Sequence, residues 1–351
     1  MIFTGDIAQP FREASSFSIP DELKSNILFG NLEGSLIDGR CKKEDVRGVF
    51  NGIKAIEEIC RLIPFRAFGI ANNHLLDAAN VQTTLDNAKS IAMPVVGAGN
   101  NLQEAKKSID ITDIDGSSYQ ILAFGWENIQ CVPAYERKQG VNPYTQKNVL
   151  RCVGEALKGN EPVICFMHWN YELEKYPQLY DRQLAMELID MGVCAVIGCH
   201  AHRVQPIEFY KGRPIVYGLG NFLFCQGHYF GGKLRFPKSC EDEYAFEITK
   251  DGYKLYYFRY DCQENRLEYV KSAEISMDKE FEGKAEFTGY TANEYERFFR
   301  RNRVQRRLLP IFHTRESTMS YWVKSEWIKL RGWLLDMATK MNVKSASRKE
   351  R

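Results

Sequence analysis

The stretch VCAVIGCHAH, residues 193–202, is an apolar run that ends in two histidines, His200 and His202. A short continuous apolar run closed by a glycine reads as a buried strand of an α/β sheet, where both faces are covered and the alternation of a half-exposed strand is lost. In an extended segment residues two apart face the same side. The reading therefore puts both imidazoles on one face and turns Cys199 and Ala201 away, with Cys199 as a packing residue.

Working outward, the same figure recurs. MIFTGD (1–6) ends in Asp6, NILFGNLEG (26–34) in Asn31 and Glu33, FRAFGIANNH (65–74) in Asn73 and His74 with Asp77 three residues on, and PVICFMHW (162–169) in His168 beside Trp169. Taken singly, these are ordinary: a Gly-Asp turn, a solvated glutamate, an N-capping asparagine, a structural histidine. Their shared place just past an apolar run is the signal, because ligands in open α/β sheets bind beyond the carboxyl ends of the strands. Four of the six histidines lie in these motifs, whereas His228 and His313 do not. Mixed imidazole, carboxylate and amide donors suit Mn, Fe, Co or Zn, and the absence of any CxxC pair argues against structural zinc or an iron–sulfur cluster.

Further runs, MPVVGAGN, YQILAFGW and RPIVYGLGNFLF, alternate with amphipathic segments around 52–63, 79–92, 145–158 and 180–191, the rhythm of an α/β fold with much parallel pairing. From about 242 the texture changes to period-two runs around Asp251-Gly252, which predict an antiparallel hairpin extending one of the sheets. From about 291 the pattern is helical, and Val323, Trp327, Leu330, Leu334, Met337 and Met341 form one stripe. The expected division is a domain over 1–285 and a basic helical extension over 286–351.

The 351 residues, 44% hydrophobic and 26% charged, suit a globular chain, and no apolar stretch approaches the roughly 18 residues of a spanning helix. Met1 is followed at once by Ile2-Phe3 and Gly5-Asp6, and the ten cysteines are scattered, so a cytoplasmic protein with reduced thiols is expected. Residues 297–351 hold 15 Lys/Arg against 4 Asp/Glu, while the rest holds 32 against 41. An acidic body with a basic tail points that tail at an anionic surface or at ordinary solvent. The 323–341 helix is expected either to dock on its own domain or a second subunit or to lie on an anionic membrane, with a location peripheral to the inner face of the membrane in the last case. Nucleic acid is not expected as a partner; a homo-oligomer is compatible with the sequence.

The ordered set Gly5-Asp6, Asn31-Leu-Glu33-Gly34, Ala71-Asn72-Asn73-His74 with Asp77, Gly97-Ala-Gly99 with Glu104-Ala105, His168-Trp169 with Glu172, Gly198-Cys-His200-Ala-His202 and Leu219-Gly-Asn221-Phe222 resembles the CapA, or poly-γ-glutamate capsule-biosynthesis, family. That family is a branch of the calcineurin-like metallophosphoesterases, and the resemblance covers about residues 1–230. It implies a metallophosphoesterase-like α/β sandwich of two β-sheets flanked by helices, with two divalent transition metals (Mn, Fe or Zn) at the strand ends. By the same resemblance Asp6, Glu33, Asn73, His168, His200 and His202 are metal ligands, Glu33 bridges, and His74 is the acid that meets substrate. Asn31, Trp169, Glu172, Arg203 and Asn221 then line the site. The implied substrate is a phosphorylated or polymeric cell-surface precursor; the rivals are a non-catalytic scaffold of a capsule-assembly complex and a hydrolase or ligase of γ-glutamyl amides. Three departures stand out: Ala8 sits where the broader superfamily has a histidine, Ala201 where the family often has proline, and family members are often exported or membrane-anchored whereas no such segment is read here.

Overall fold

The computed structural model describes residues 1–38, 48–305, 308–312, 316 and 318–340; Cys41, His313 and Met341 lie outside them. Two large sheets face each other. The first is nine-stranded, running through Ser16–Ser18, Arg266–Ile275, Tyr253–Asp261, Asp242–Ile248, Ile2–Ala8, Leu28–Leu32, Phe65–Gly69 and Val95–Val96, with Asn221–Phe224 also pairing to Ile2–Ala8. The second has six strands, in the order Ile207–Tyr210, Arg213–Val216, Ala195–Cys199, Val163–His168, Ser118–Gly125 and Ile109–Thr112. Phe166 of the second sheet meets Phe3 and Phe29 of the first, with ring centroids at 6.5 and 5.0 Å, and marks the core between them. The expected α/β sandwich of two sheets is what forms.

The central strands are parallel and buried on both faces, as their unbroken apolar runs require. Helices cover them. Ile53–Leu62 buries Ala55, Ile56 and Ile59, an amphipathic spacing, and stops where Ile63 turns extended ahead of Pro64. Val81–Ser90 and Gln146–Ala156 begin at Asn80 and Thr145, whose side chains accept from Thr83 N and Asn148 N.

The period-two runs after 242 form the expected hairpin. Asp242–Ile248 pairs antiparallel with Tyr253–Asp261 on one side and with Ile2–Ala8 on the other, so the hairpin extends the first sheet. Ile2–Ala8 thus changes neighbour along its length: its start pairs with Asp242–Ile248 and its end with Asn221–Phe224. The register shifts on both sides of Asp6. Gly5 allows this crossing, because a Cβ there would lie 2.0 Å from the Gly220 carbonyl oxygen.

After the sheets, Ala292–Asn302 starts on a capping box of Thr291 and Glu294 and buries Tyr295 and Phe299. The Met319–Lys340 helix docks through Tyr321, Ser325 and Ile328 rather than through the apolar stripe read from the sequence. Ser325 Oγ donates to Asn128 Oδ1 (2.8 Å), Asn128 Nδ2 donates to Tyr321 Oη (3.1 Å), and Ile328 is buried. Val323, Leu330, Leu334 and Met337 of the stripe remain exposed, and only Trp327 of its described members packs partly on the core.

Candidate metal centre

Asp6 is placed by the register shift in Ile2–Ala8 and is fully buried. Its Oδ1 accepts from Asn31 Nδ2 (2.8 Å) and its Oδ2 from the His200 backbone N–H (3.2 Å). Glu33 follows the adjacent parallel strand Leu28–Leu32 and is likewise fully buried. Its peptide is held from both ends: its N–H donates to Ile7 O (2.8 Å) and its carbonyl accepts from Asn51 Nδ2 (2.8 Å).

From the facing sheet come the imidazoles. His168 ends its strand with Nε2 2.7 Å from Asn73 Oδ1 and 3.1 Å from His200 Nδ1, while its Nδ1 lies 3.2 Å from Cys199 Sγ. His202 presents Nε2 to Glu33 Oε1 at 3.6 Å and Nδ1 to Asp6 Oδ2 at 3.3 Å. Asn221 Oδ1 lies 2.9 Å from the same Nδ1. Accepting a proton from Nδ1 would leave the Nε2 lone pair turned toward Glu33, the kind of outer contact that sets a ligand's tautomer.

Three sets of ligand atoms, each within 4.8 Å of one another, result: Asp6, His168 and Cys199; Glu33, His168 and His200; Asp6, Glu33 and His202. Glu33 is shared by the last two. Two carboxylates, three imidazoles and a thiol brought together away from water are costly without a cation to screen them. The protonation preferences agree. Burial pushes the Asp6 carboxyl up to about 7 against the hydrogen bonds from Asn31 and His200. Burial first, then the nearby His202 and His74 rings, holds His168 well below the usual imidazole range, and so as a neutral donor. The donor set fits divalent metal: Asp6, Glu33, His168, His200 and His202 would hold it, with Asn73 Oδ1 2.7 Å from His168 Nε2.

His74 stands at the less buried edge with Asn73. Its Nδ1 is 2.6 Å from Asp77 Oδ2, an oxygen that also accepts from Val49 N, and its Nε2 is 3.7 Å from Glu33 Oε1 with no hydrogen-bond partner. The loop after Phe224 supplies an aromatic wall: Phe236 and Phe224 lie 4.4 and 5.4 Å from the His202 ring, and Phe230 6.1 Å from the His74 ring.

Three readings from the sequence are corrected. The strand stops at Cys199, and His200 and His202 have φ of +91° and +55°. They converge because a left-handed turn aims them, a conformation that branched or bulky residues adopt only under strain. With that turn, Cys199 faces the site instead of away. Trp169, expected to line the site, is fully buried in the core, its Nε1 donating to Tyr217 O (2.9 Å) and its ring stacked on Tyr217. Asn31 and Asn221 are buried beside the ligands: Asn31 Nδ2 donates to Asp6 Oδ1 (2.8 Å), and Asn221 Oδ1 lies 2.9 Å from His202 Nδ1. Glu172 and Arg203 are half-buried on neighbouring loops, and Arg203 Nη1 donates to Leu173 O (3.3 Å).

Sequence reasoning missed Asn51 and Asn72. Asn72 Nδ2 donates to Leu32 O (2.8 Å), and its Oδ1 accepts from Gly34 N and His74 N (3.1 and 3.2 Å), tying the glutamate and histidine loops together. The Asn-Asn-His triplet carried a signal for Asn72; nothing local marks Asn51.

Comparison with known proteins follows the same lines. The profile described as "Bacterial capsule synthesis protein PGA_cap" matches residues 6–226. "PGA biosynthesis protein CapA" of Bacillus subtilis (strain 168) is 33% identical over 206 residues, covering 58% of this chain and 54% of that protein. "Capsule biosynthesis protein CapA" of Bacillus anthracis is 29% identical over 181 residues, 50% of this chain and 43% of that one. The chain spans about half the length of the curated relatives it matches. Among solved structures, a 5'-nucleotidase precursor from Thermus thermophilus aligns with a TM-score of 0.38 and 14% identity over 71% of this chain and 44% of that one, which carries no functional argument.

Proposed function

The chain belongs to the bacterial capsule synthesis protein PGA_cap family, and from that premise we propose that it is a two-metal hydrolase of a phosphate ester in capsule, exopolysaccharide or poly-γ-glutamate production. The observation that carries the reading is that the two buried carboxylates, Asp6 and Glu33, are each shared by two ligand sets, with the His74 Nε2 turned toward Glu33. When bound, the two metals supply Lewis acidity toward the phosphoryl oxygens and the attacking water. Asp6, Glu33 and the three imidazoles fix where the reacting phosphorus sits, and Phe224 and Phe236 keep bulk water from the His202 side.

His74 does the proton work. Asp77 accepts from Nδ1 and orients the ring, which turns Nε2 toward Glu33. From Nε2 a proton passes to the leaving oxygen. A non-catalytic scaffold is the second reading, favoured by Ala8: it is buried among apolar side chains where the superfamily has a ligand, which leaves one metal position with fewer donors.

The test is His74→Ala assayed with added Mn²⁺ on an alkyl phosphodiester, a nitrophenyl phosphodiester and a γ-glutamyl anilide. The variant keeps its metal and loses kcat on the alkyl ester by a factor on the order of 10²–10⁴. The loss is smaller on the nitrophenyl ester, whose leaving group needs no proton. Turnover of the anilide alone overturns the phosphoesterase assignment, and no turnover of any of the three by the metal-loaded protein favours the scaffold.

A further inference from the structure

The Met319–Lys340 helix has two apolar faces, and the domain uses one of them. Tyr321, Ser325 and Ile328 sit on the 127–129 turn, and at Gly332 a Cβ would come within 2.9 Å of Gln130 Nε2, so the contact runs nearly three turns. At about 100° per residue, Trp322, Val323, Leu330, Trp333, Leu334 and Met337 all fall on the opposite side, within an arc of roughly 120°. Every one is exposed, Trp322 by 60% and Trp333 by 57%. Scattered exposed apolar residues need no explanation, but two tryptophans and four large aliphatics on one arc do.

One border of the arc is basic, with Lys324 and Arg331; on the other, Lys329 is paired with Glu127 (3.0 Å) and Glu326 (3.2 Å). The acidic residue within the arc, Glu326, accepts from Lys329 Nζ at 3.2 Å, so its charge is balanced locally. In sequence, residues 341–351 add Lys344, Arg348, Lys349 and Arg351 against Glu350.

We propose that this face lies on an anionic lipid surface, parallel to the membrane plane. Indole rings with wet N–H groups and apolar bodies settle at the headgroup level, and Lys324 and Arg331 reach the phosphates from the basic border. Each basic group adds attraction to anionic lipid that salt weakens. A second copy is the poorer occupant, because residues 297–351 hold 15 Lys/Arg against 4 Asp/Glu and two copies of that segment repel. Among the described residues no helix is long and apolar enough to cross a membrane, so the helix rests on the bilayer instead of spanning it. The inference is independent of the metal centre and needs no turnover to be tested.

The experiment uses the full chain with vesicles of phosphatidylcholine, alone or mixed with phosphatidylglycerol. The protein pellets with the mixed vesicles at least about tenfold more tightly than with the neutral ones, and added salt erodes the difference. Brominated lipid quenches its tryptophan emission. Trp322→Glu with Trp333→Glu abolishes pelleting while the melting temperature holds, and Lys324→Gln with Arg331→Gln weakens the preference for anionic lipid. Failure to pellet with the mixed vesicles, or undiminished pelleting of the glutamate variant, overturns the proposal. So does a lipid-free dimer, seen by sedimentation equilibrium, that the glutamate substitutions dissociate.

Discussion

The strand-end centre and the Met319–Lys340 helix break the usual rule of burial in opposite directions. Around Glu33 the chain buries two carboxylates and three imidazoles; on the outer face of the helix it exposes two tryptophans and four aliphatic side chains. Each inversion is unfavourable in water alone, one through desolvated charge and the other through hydrated apolar surface. Inverted burial therefore marks the two places where something other than water and protein is expected. The difference between them lies in support. The centre is held by both sheets and a web of asparagines, whereas the helix rests on one short turn.

The sharpest way to break this comparison is His200→Ala. Metal content, read by elemental analysis of the purified protein, should drop together with activity. The loss of affinity should exceed the roughly 10–100-fold that removal of an outer hydrogen-bond partner costs. Unchanged occupancy would remove His200 from the ligand set. A matched pair of tryptophans tests the contrast in burial itself. Trp169→Ala, in the core, should destabilise by about 3–5 kcal/mol, and Trp333→Ala, on the helix, by less than about 0.5 kcal/mol, as judged by denaturant midpoints. Equal effects would mean that the outer face is packed in solution.

A smaller effect concerns buried charge remote from the metals. Burial pushes the Asp181 carboxyl up to about 7, against a hydrogen bond from Tyr144 Oη at 2.8 Å. An unfolded aspartate titrates near roughly 3.9, so the folded value is raised. Its contribution to stability is then complete at acid pH, declines as pH rises from about 4, and is lost once pH passes about 7. Melting temperature should fall across that window, and Asp181→Asn should flatten the decline. A variant with the parental slope would show that Asp181 is ionised in the folded protein.

Much of the fold was legible because period and length are local properties. The helices read around 52–63, 79–92, 145–158 and 180–191 are observed as Ile53–Leu62, Val81–Ser90, Gln146–Ala156 and Leu179–Met191. Convergence of Asp6, Glu33, Asn73, His168, His200 and His202 was legible too, since parallel strands bring their carboxyl ends to one edge. Orientation was not. Whether Trp169 faces the site or the core depends on Tyr217 of a strand some fifty residues away, Trp169 Nε1 bonding to its carbonyl. The inward turn of Cys199 depends on the left-handed backbone that follows it. The terminal stripe was recognised as apolar, but the docked face was set by Asn128 and Gln130, which no helical periodicity reports.

By itself the sequence determined which residue types stand at the strand ends, and hence the ligand chemistry, because apolar runs, glycines and polar termini are written into consecutive positions. Only the tertiary structure decided which atoms meet. The crossing at Gly5 and Gly220, the sharing of Glu33 between two ligand sets and the exposed side of the last helix all arise between segments far apart in the chain. There the separations of a few ångströms that distinguish a ligand from a packing residue are set by sheet register and turn geometry, not by the neighbours in sequence.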